Sequence, residues 1–191
     1  MPYIVLALSL CVAVLAALAF RSTVRQRDES RFENAIQSTE DRIEDRLNTY
    51  VALLFASRAL LVAYGDDVTP EQFRRFVGQL DLQDRYSGIQ GVGFTRTFSA
   101  AERPAVEAQM RRSGFEDFRV WPDDPREQMH SIVMLEPLDR RNRAAIGYDM
   151  FTEAVRRDAM SRARDTGQPA ASGPVTLVQE IDENTQPGFL I

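Results

Sequence analysis

The sequence predicts an α+β protein with a transmembrane helix and a long stalk helix, followed by a small antiparallel sheet with flanking helices. Three observations carry this prediction. Pro2–Phe20 contains no charged residue, and Ser22–Ala63 contains neither glycine nor proline. After Gly65, short apolar strand patterns alternate with short helical ones, and the connections are too short for a doubly wound sheet. We therefore expect a mainly antiparallel sheet with helices on one side.

The composition limits the function classes. The chain has 191 residues, of which 44% are apolar and 27% charged, which suits one globular domain plus an anchor. A net charge of −5 argues against nucleic acid as a partner, because nucleic-acid binding selects basic surfaces. Lysine is absent, which excludes Schiff-base chemistry. With one cysteine, Cys11, and one histidine, His130, we expect no internal disulfide, no metal site and no cofactor.

The first apolar segment has the length of a membrane span. Its nineteen residues, Pro2–Phe20, would cover about 28 Å as a helix, close to a bilayer core of roughly 30 Å. We predict a transmembrane anchor over residues 1–21. The alternative is a cleaved signal peptide, since Ala17–Ala19 fits a cleavage pattern, but no basic stretch precedes the run. The arginines follow the run, beginning with Arg21, and the positive-inside rule alone would put the following chain in the cytoplasm.

Residues 22–64 are predicted to form a stalk helix. Apolar residues recur along it at spacings of three, four and seven: Phe32, Ile36, Ile43, Leu47, Tyr50, Leu54 and Leu61. This pattern is typical either of a helix packed on its own domain or of a helix paired with its copy, and both can hold. We expect a homodimer through the first half and burial against the domain around Val51–Phe55. Gly65–Asp67 is predicted to end the helix.

Residues 65–191 are predicted to form a globular lobe. Its helices are predicted to start at the capping pattern Thr69–Gln72, to run from Ser99 to Gly114, and to run from Thr152 to Gly167. Its strands are predicted around Ile89–Phe94, at Phe118–Pro122, at Ile132–Leu135 and at Val175–Gln179, the last paired with Phe189–Ile191. The sequence stops within that last apolar pattern, so we expect at least one further strand and an effector region beyond it.

Acidic residues near the later strands are the chemical candidates of the lobe: Glu136, Asp139, Asp149, Asp165 and Glu180. No nucleophile–base pair or metal-ligand spacing accompanies them, so we predict no catalytic residue. Asp149 and Asp165 lie beside predicted helix ends, where carboxylates usually cap backbone donors, and charges at loop rims are normally solvated. Asp139 follows a buried strand, so it either contacts a ligand or pairs with a neighbouring arginine.

Four other features of the lobe have simple structural interpretations. Trp121 and Tyr148 either line a pocket or belong to the core, as most aromatic residues do. His130 is interpreted as a histidine with satisfied hydrogen bonds at a strand end. Ser172–Pro174 is interpreted as a turn into the next strand.

A series of short motifs in the chain resembles a known family. The motifs are, in order, Tyr86–Phe94, Leu135–Pro137, Ile146–Met150, Arg162–Gly167, Ser172–Gly173 and Pro187–Phe189. Each motif is weak alone, but their order and spacing together resemble the CHASE sensory domain of receptor histidine kinases and diguanylate cyclases. The similarity extends from about residue 35 to the end of the sequence.

The resemblance implies a stalk helix followed by two PAS-like lobes outside the cytoplasmic membrane, a dimer formed through that helix, and a small-molecule ligand. This chain would hold the anchor, the stalk and most of the membrane-distal lobe. In plant cytokinin receptors of this family, the ligand lies in that lobe, near the equivalents of Asp139 and Ser172. We therefore expect an organic ligand near Met134 and Val175, with Asp139 and Ser172 as polar contacts and Tyr148 as a further contact.

Three functional hypotheses follow. The first is the ligand-sensing input region of a membrane-bound receptor in the inner membrane, with its lobe in the periplasm or outside the cell. Its output domain, a histidine kinase or diguanylate cyclase, would lie outside this chain. The second is a membrane-anchored binding or scaffold protein without an output domain. The third is an anchored hydrolase, for which the sequence offers no nucleophile.

Overall fold

The computed structural model of the chain describes residues 2–65, 68–86, 88–124, 126–181 and 187–191. Within the first helix, the side chains of residues 2, 5–19 and 22–26 are not described. The chain divides into two units, Met1–Thr49 and Tyr50–Ile191. The first unit is helical, and the second is a lobe of mixed helix and strand, which confirms the predicted α+β class.

The helices are α1 (Pro2–Tyr64), α2 (Pro70–Leu80), α3 (Leu82–Arg85), α4 (Arg103–Arg112), α5 (Arg140–Ala145) and α6 (Ala154–Thr166), and a 3₁₀ turn covers Met150–Thr152. The strands are β1 (Val92–Ser99), β2 (Gln128–Glu136), β3 (Val175–Thr176) and β4 (Pro187–Gly188). Strand β1 pairs with β2, and β3 pairs with β4, both antiparallel. The described part of the lobe therefore has the small antiparallel sheet that the sequence predicts.

Helix α1 contains the stalk pattern, but its buried face differs from the predicted one. In the lobe, Leu53 is buried and Leu60 packs against the same cluster, whereas the predicted residues Leu54 and Leu61 are only half-buried. A straight helix drifts relative to a heptad repeat, so a seam extrapolated along the sequence moves off the contact face. Ser57, one turn after Leu53, is also buried and donates to the Leu53 carbonyl oxygen at 2.9 Å.

One helical segment of the described residues, Arg27–Tyr64, is long and apolar enough to cross a membrane by length and composition. Its apolar end includes Leu53, which belongs to the core of the lobe, but only 11% of the apolar window is buried, so core packing accounts for little of that composition. The predicted anchor, residues 1–21, has a helical backbone from Pro2 onward. Most of its side chains lie outside the described residues.

Strand β2 organises the lobe because it is buried along nearly its whole length. Its pairing with β1 contains a bulge: Phe94 pairs with Met134 and Thr95 with Ile132, so Val133 has no direct partner. Val133 and Met134 consequently belong to one apolar cluster, whereas the flanking residues Ile132 and Leu135 belong to another. The strand thus separates two cores.

We call the cluster on the Val133 side the first core: Leu53, Phe73, Val77, Leu82, Val92, Phe98, Val106, Met110, Phe118, Val120, Met129, Val133 and Met134. The second core contains Ile132, Leu135, Ala145, Tyr148 and Met150, with Trp121, Ile146, Met160, Val178 and Leu190 packed against it. Helices α1, α2, α3 and α4 contribute to the first core, and α5 and α6 to the second. Helices therefore contribute to both cores and not to one side alone.

The predicted helix ends are partly correct. Thr69 and Gln72 form the predicted capping box of α2, whose Phe73 and Val77 are buried. Gly167 ends α6 in the left-handed conformation, with φ of 67°. Thr152 does not cap α6, because the carboxylate of Glu153 accepts from the first free backbone donors instead.

The predicted box of Ser99 and Glu102 differs from a helix cap. The Glu102 carboxylate accepts from the backbone and hydroxyl of Ser99, both at 2.8 Å. These bonds lower the pKa of Glu102. Helix α4 begins at Arg103, one residue after Glu102, and ends at Arg112, before the predicted stop at Gly114.

Two predicted strands are absent or shorter in the described residues. Phe118–Pro122 is not a strand: Phe118 and Val120 are buried in the first core, and only Trp121 forms a bridge, to Tyr148. Its apolar alternation therefore reflects core packing. Strand β3 covers only Val175–Thr176 and pairs with Pro187–Gly188, not with Phe189–Ile191.

Gly147 is required for the close packing beside Trp121. Its φ is 85°, and a Cβ built there would overlap the carbonyl oxygen of Arg119. Gly147→Ala is therefore expected to lower the free energy of unfolding by about 1–3 kcal/mol. Denaturant unfolding of the chain in detergent micelles, followed by the fluorescence of the single tryptophan, Trp121, would measure this loss.

The matched control is Gly78→Ala in the interior of α2, where an added Cβ meets nothing within 4 Å. That substitution is expected to raise stability by about 0.5–1 kcal/mol, because alanine loses less backbone freedom on folding than glycine. Equal effects of the two substitutions would contradict the close approach at Gly147.

Candidate ligand-binding site

The segment Gly147–Asp149 joins β2 to Trp121 and places Tyr148 in the second core. Gly147 N donates to Ile132 O at 2.8 Å, and Ile132 N donates to Tyr148 O at 3.0 Å. On the other side, Trp121 N donates to Gly147 O at 3.0 Å, and Asp149 N donates to Trp121 O at 2.7 Å. The segment is thus bonded on both edges, and Tyr148 is 8% exposed.

The hydroxyl of Tyr148 is the centre of a polar cluster within the second core. It accepts from Nη1 of Arg156 at 2.9 Å and lies 3.0 Å from the Thr152 hydroxyl. Its ring packs against Trp121, with centroids 4.8 Å apart and the planes tilted by 60°. Tyr148 therefore offers an apolar ring and a hydroxyl whose position is fixed by its neighbours.

Arg156 is a buried cation on the first turn of α6, with 3% of its surface exposed. Its Nη2 donates to the Thr176 carbonyl oxygen at 2.7 Å, and its guanidinium carbon lies 5.0 Å from the Tyr148 ring centroid. It forms no ion pair with a carboxylate in the described part of the chain. Arg156 thus ties α6 to β3 through neutral acceptors and an aromatic face.

Glu153 supplies a negative charge near Arg156. The Val155 N–H contributes most to lowering the pKa of Glu153. Burial opposes this effect, and the N–H and charge of Arg156 and the charge of Arg157 add to the lowering. The carboxylate therefore stays ionised at the start of α6, where it stabilises the helix dipole as well as the guanidinium.

Ser172 joins the segment before β3 to the segment after β4 by hydrogen bonds. Its N–H donates to the Leu190 carbonyl oxygen at 2.8 Å, and its Oγ accepts from Leu190 N at 2.9 Å. The same hydroxyl donates to Gly173 O at 2.7 Å. Because its one proton is already bonded, a ligand could use only the remaining lone pair.

Asp139 caps α5. Its Oδ1 accepts from Asn142 N at 2.8 Å, in the geometry of a helix N-cap, and the residue is exposed. Asn142, in the first turn of α5, is fully buried and donates to the carbonyl oxygens of Gln90 and Pro137. The cap therefore supports a turn that holds the chain before β1 against the chain after β2.

The structure does not bring all four predicted contact residues together. Met134 lies in the first core and Tyr148 in the second. Of two clefts in the described residues, one of about 620 Å³ lies between Gly114–Arg119 and Arg143–Ile146, and one of about 460 Å³ lies between Arg103 and Arg119–Asp123. Neither is lined by the predicted residues Asp139, Ser172, Met134 or Tyr148.

The other acidic candidates have structural partners. The Asp149 Oδ1 accepts from His130 N and Phe151 N, which confirms its predicted capping role. Asp165 is paired with Arg164, whose hydrogen bond lowers the pKa of the carboxyl. Glu136 and Glu180 are not solvated as the sequence suggests: their side chains are 9% and 5% exposed, and they pair with Arg74 and Arg141.

Sequence reasoning missed Arg156 and Asn142. An arginine in a charged helix usually marks a solvated face, and no spacing in the sequence distinguishes Arg156 from its neighbour Arg157. Among the described residues, no group of three His, Cys, Asp or Glu side chains is arranged to hold a metal ion.

The second core combines an apolar wall with a few fixed polar groups, which are the kinds of side chain that line small-molecule pockets. The family model for the CHASE domain matches residues 66–191, and the chain belongs to this family. CHASE domains are extracytoplasmic sensory domains of signalling receptors and bind small molecules. No curated protein matches the chain.

The cap at Asp139 can be separated from its charge. Asp139→Ala is expected to lower the free energy of unfolding by about 0.5–2 kcal/mol, whereas Asp139→Asn, which keeps a capping oxygen, should change it by a few tenths at most. Denaturant unfolding measures both.

Asp158→Ala, which removes an exposed carboxylate paired with Arg162 on α6, is the control and should cost about 0.3–0.5 kcal/mol. Equal losses in the alanine and asparagine variants of Asp139 would contradict the capping role.

Proposed function

We propose that the chain is the ligand-sensing input region of a membrane-bound receptor. The CHASE match over residues 66–191 is the observation that carries the proposal. The uncharged segment Pro2–Phe20 supports an anchor over residues 1–21 in the cytoplasmic membrane. Residues 65–191 would form a membrane-distal, PAS-like lobe in the periplasm or outside the cell. A histidine kinase or diguanylate cyclase elsewhere in the protein would supply the output.

The proposed ligand site adjoins the second core. Tyr148 belongs to that core, Ser172 is bonded to Leu190, which packs on it, and Asp139 begins α5, which contributes Ala145. Met134 has the least support, because it lies in the first core on the other side of β2. These four residues remain the proposed contacts. A ligand there would meet apolar side chains, a phenol hydroxyl and an exposed carboxylate.

We further propose that residues 22–64 pair in a homodimer. The recurring apolar residues of the stalk helix, from Phe32 to Leu61, form what we call the stripe. Three stripe residues of the first unit are large and exposed: Phe32 at 68%, Ile36 at 44% and Ile43 at 56%. Apolar residues at this spacing are stabilised when a second copy of the helix covers them. A change in the packing of two such helices would carry the signal from the lobe to the membrane.

The functional test uses the complete protein in inner-membrane vesicles. A library of small organic compounds is screened for binding, and kinase and diguanylate cyclase activities are measured with each compound that binds. A receptor changes its output on binding, and Asp139→Asn, which keeps the helix cap, should weaken the response. Binding without any change in a cytoplasmic activity would identify the protein as an anchored binding or scaffold protein instead.

The stalk proposal predicts a pattern of disulfide crosslinks. In a Cys11→Ser background, Ile36→Cys and Ile43→Cys should crosslink in membranes, because the stripe faces its copy. Glu44→Cys and Asp45→Cys should crosslink several-fold less, because they lie on other faces of the helix. Gel electrophoresis without reductant measures the dimer fraction. Equal crosslinking at all four positions would rule out pairing through the stripe.

A further inference from the structure

We propose that His130 is a buried proton-binding site through which acidification loosens the sensory lobe. His130 is the only histidine of the chain and lies in the middle of the described lobe, on β2, with 6% of its surface exposed. A lobe outside the cytoplasm is in contact with the acidity of its surroundings. A proton would therefore be a second input, in addition to the ligand that is proposed to bind beside the second core.

The ring of His130 is only partly satisfied. Its Nδ1 lies 2.9 Å from the Thr97 hydroxyl on β1, while its Nε2 has no hydrogen-bond partner among the described residues. The ring stacks on Phe151, with centroids 3.4 Å apart and planes 20° apart. The neutral ring thus leaves one buried nitrogen unpaired, whichever tautomer is present.

Protonation makes this environment unfavourable. Both ring nitrogens would become donors, and the Nε2 proton would have no acceptor within the described residues. A buried charge without such a partner is costly. The folded lobe can accept the proton only if the ring leaves its place against Phe151 or water enters beside it.

The charged groups around His130 do not remove this cost. Burial is the largest influence and lowers the pKa of His130, the nearby Asp149 carboxylate raises it, and Arg164 on α6 lowers it, with a net lowering. Two further cations, Arg126 and Arg157, donate to the Phe151 carbonyl oxygen on the 3₁₀ turn. Thr97 on β1 contributes a neutral hydroxyl.

The position of His130 connects it to the second core. Its backbone N–H donates to Asp149 Oδ1 at 2.9 Å, and the same oxygen accepts from Phe151 N at 3.1 Å. Asp149 directly follows Tyr148, whose ring belongs to that core. Displacing the imidazole removes its stacking on Phe151. It therefore disturbs the 3₁₀ turn and the hydrogen bonds of Asp149 that follow Tyr148.

The sign of the pH dependence follows from linkage. The pKa of folded His130 lies below the reference value of 6.5, so the unfolded chain binds more protons between those two values. The stability contribution is complete above that window and is lost as the pH falls from about 7 toward the folded pKa. Glu102, Glu107, Glu153 and Asp165 all have lowered pKa values, so their contributions are lost only at pH below about 4.5.

The experiment uses the 191-residue chain in lipid nanodiscs. With ¹³C-labelled histidine, the chain gives one imidazole Cε1–H resonance, and its titration reports His130 directly. Denaturant unfolding at pH 7.5, 6.5 and 5.5 is measured in parallel. The folding constant of the wild type should fall by up to tenfold per pH unit in this window, since one proton is linked. His130→Asn and His130→Gln should show little of this fall.

Titration of the wild-type imidazole at or above pH 6.5 would overturn the proposal. So would a wild-type folding constant that does not change between pH 7.5 and 5.5, or an equal fall in the two variants. The titration requires only the wild-type chain, so it decides the matter even where a substituted lobe does not fold.

Discussion

The lobe depends on β2 being buried on both faces. Strand β1 pairs with one edge of β2, the segment Gly147–Asp149 is hydrogen-bonded to the other edge, and nearly all side chains of β2 are inaccessible to solvent. The bulge at Val133 distributes successive residues to two cores, so one strand serves as the wall of both. Each buried aliphatic side chain contributes about 1.5–3 kcal/mol, so the buried residues of β2 stabilise both cores. Residues that pack on either face are consequently linked through it.

The two cores differ in polarity, and this difference underlies the proposed function. The first core is apolar, and α1, α2, α3 and α4 contribute to it. The second core contains Tyr148 and adjoins the buried side chains of Asp149 and Arg156. Asp149 accepts from the His130 N–H, and Arg156 donates to the Tyr148 hydroxyl and to the Thr176 carbonyl oxygen. Such groups are stable only while their hydrogen bonds are kept, so a ligand or a proton that competes for them has a direct effect on packing. A sensory lobe requires this sensitivity next to a rigid wall.

Several elements could be predicted from the sequence because their signals are local. The capping box at Thr69, the stop at Gly167 and the buried run Ile132–Leu135 are all correct. Failures occurred where distant contacts decide the outcome. Phe118–Pro122 alternates like a strand because Phe118 and Val120 enter a core. Arg156 is buried because its guanidinium meets Thr176, twenty residues further along the chain.

In the candidate site, too, features with a local sequence signal could be predicted, and features set by distant contacts could not. Tyr148 and Asp149 were identified from a motif and a position beside a helix end, and both are fixed by hydrogen bonds of the described structure. The predicted grouping of Met134 with Tyr148 could not anticipate the bulge, because a one-residue insertion in pairing register leaves no mark in composition. The Nε2 atom of His130 has no hydrogen-bond partner among the described residues, and this too follows from tertiary packing alone.

The sensory role requires that the lobe lie outside the cytoplasm, although the arginines after the apolar segment favour the opposite orientation. A membrane-impermeant maleimide applied to intact cells tests this most directly. The chain would carry Gln168→Cys, at an exposed position after α6, in a Cys11→Ser background. We predict labelling in intact cells equal to that in permeabilised cells. Labelling only after permeabilisation would place the lobe in the cytoplasm and contradict the account.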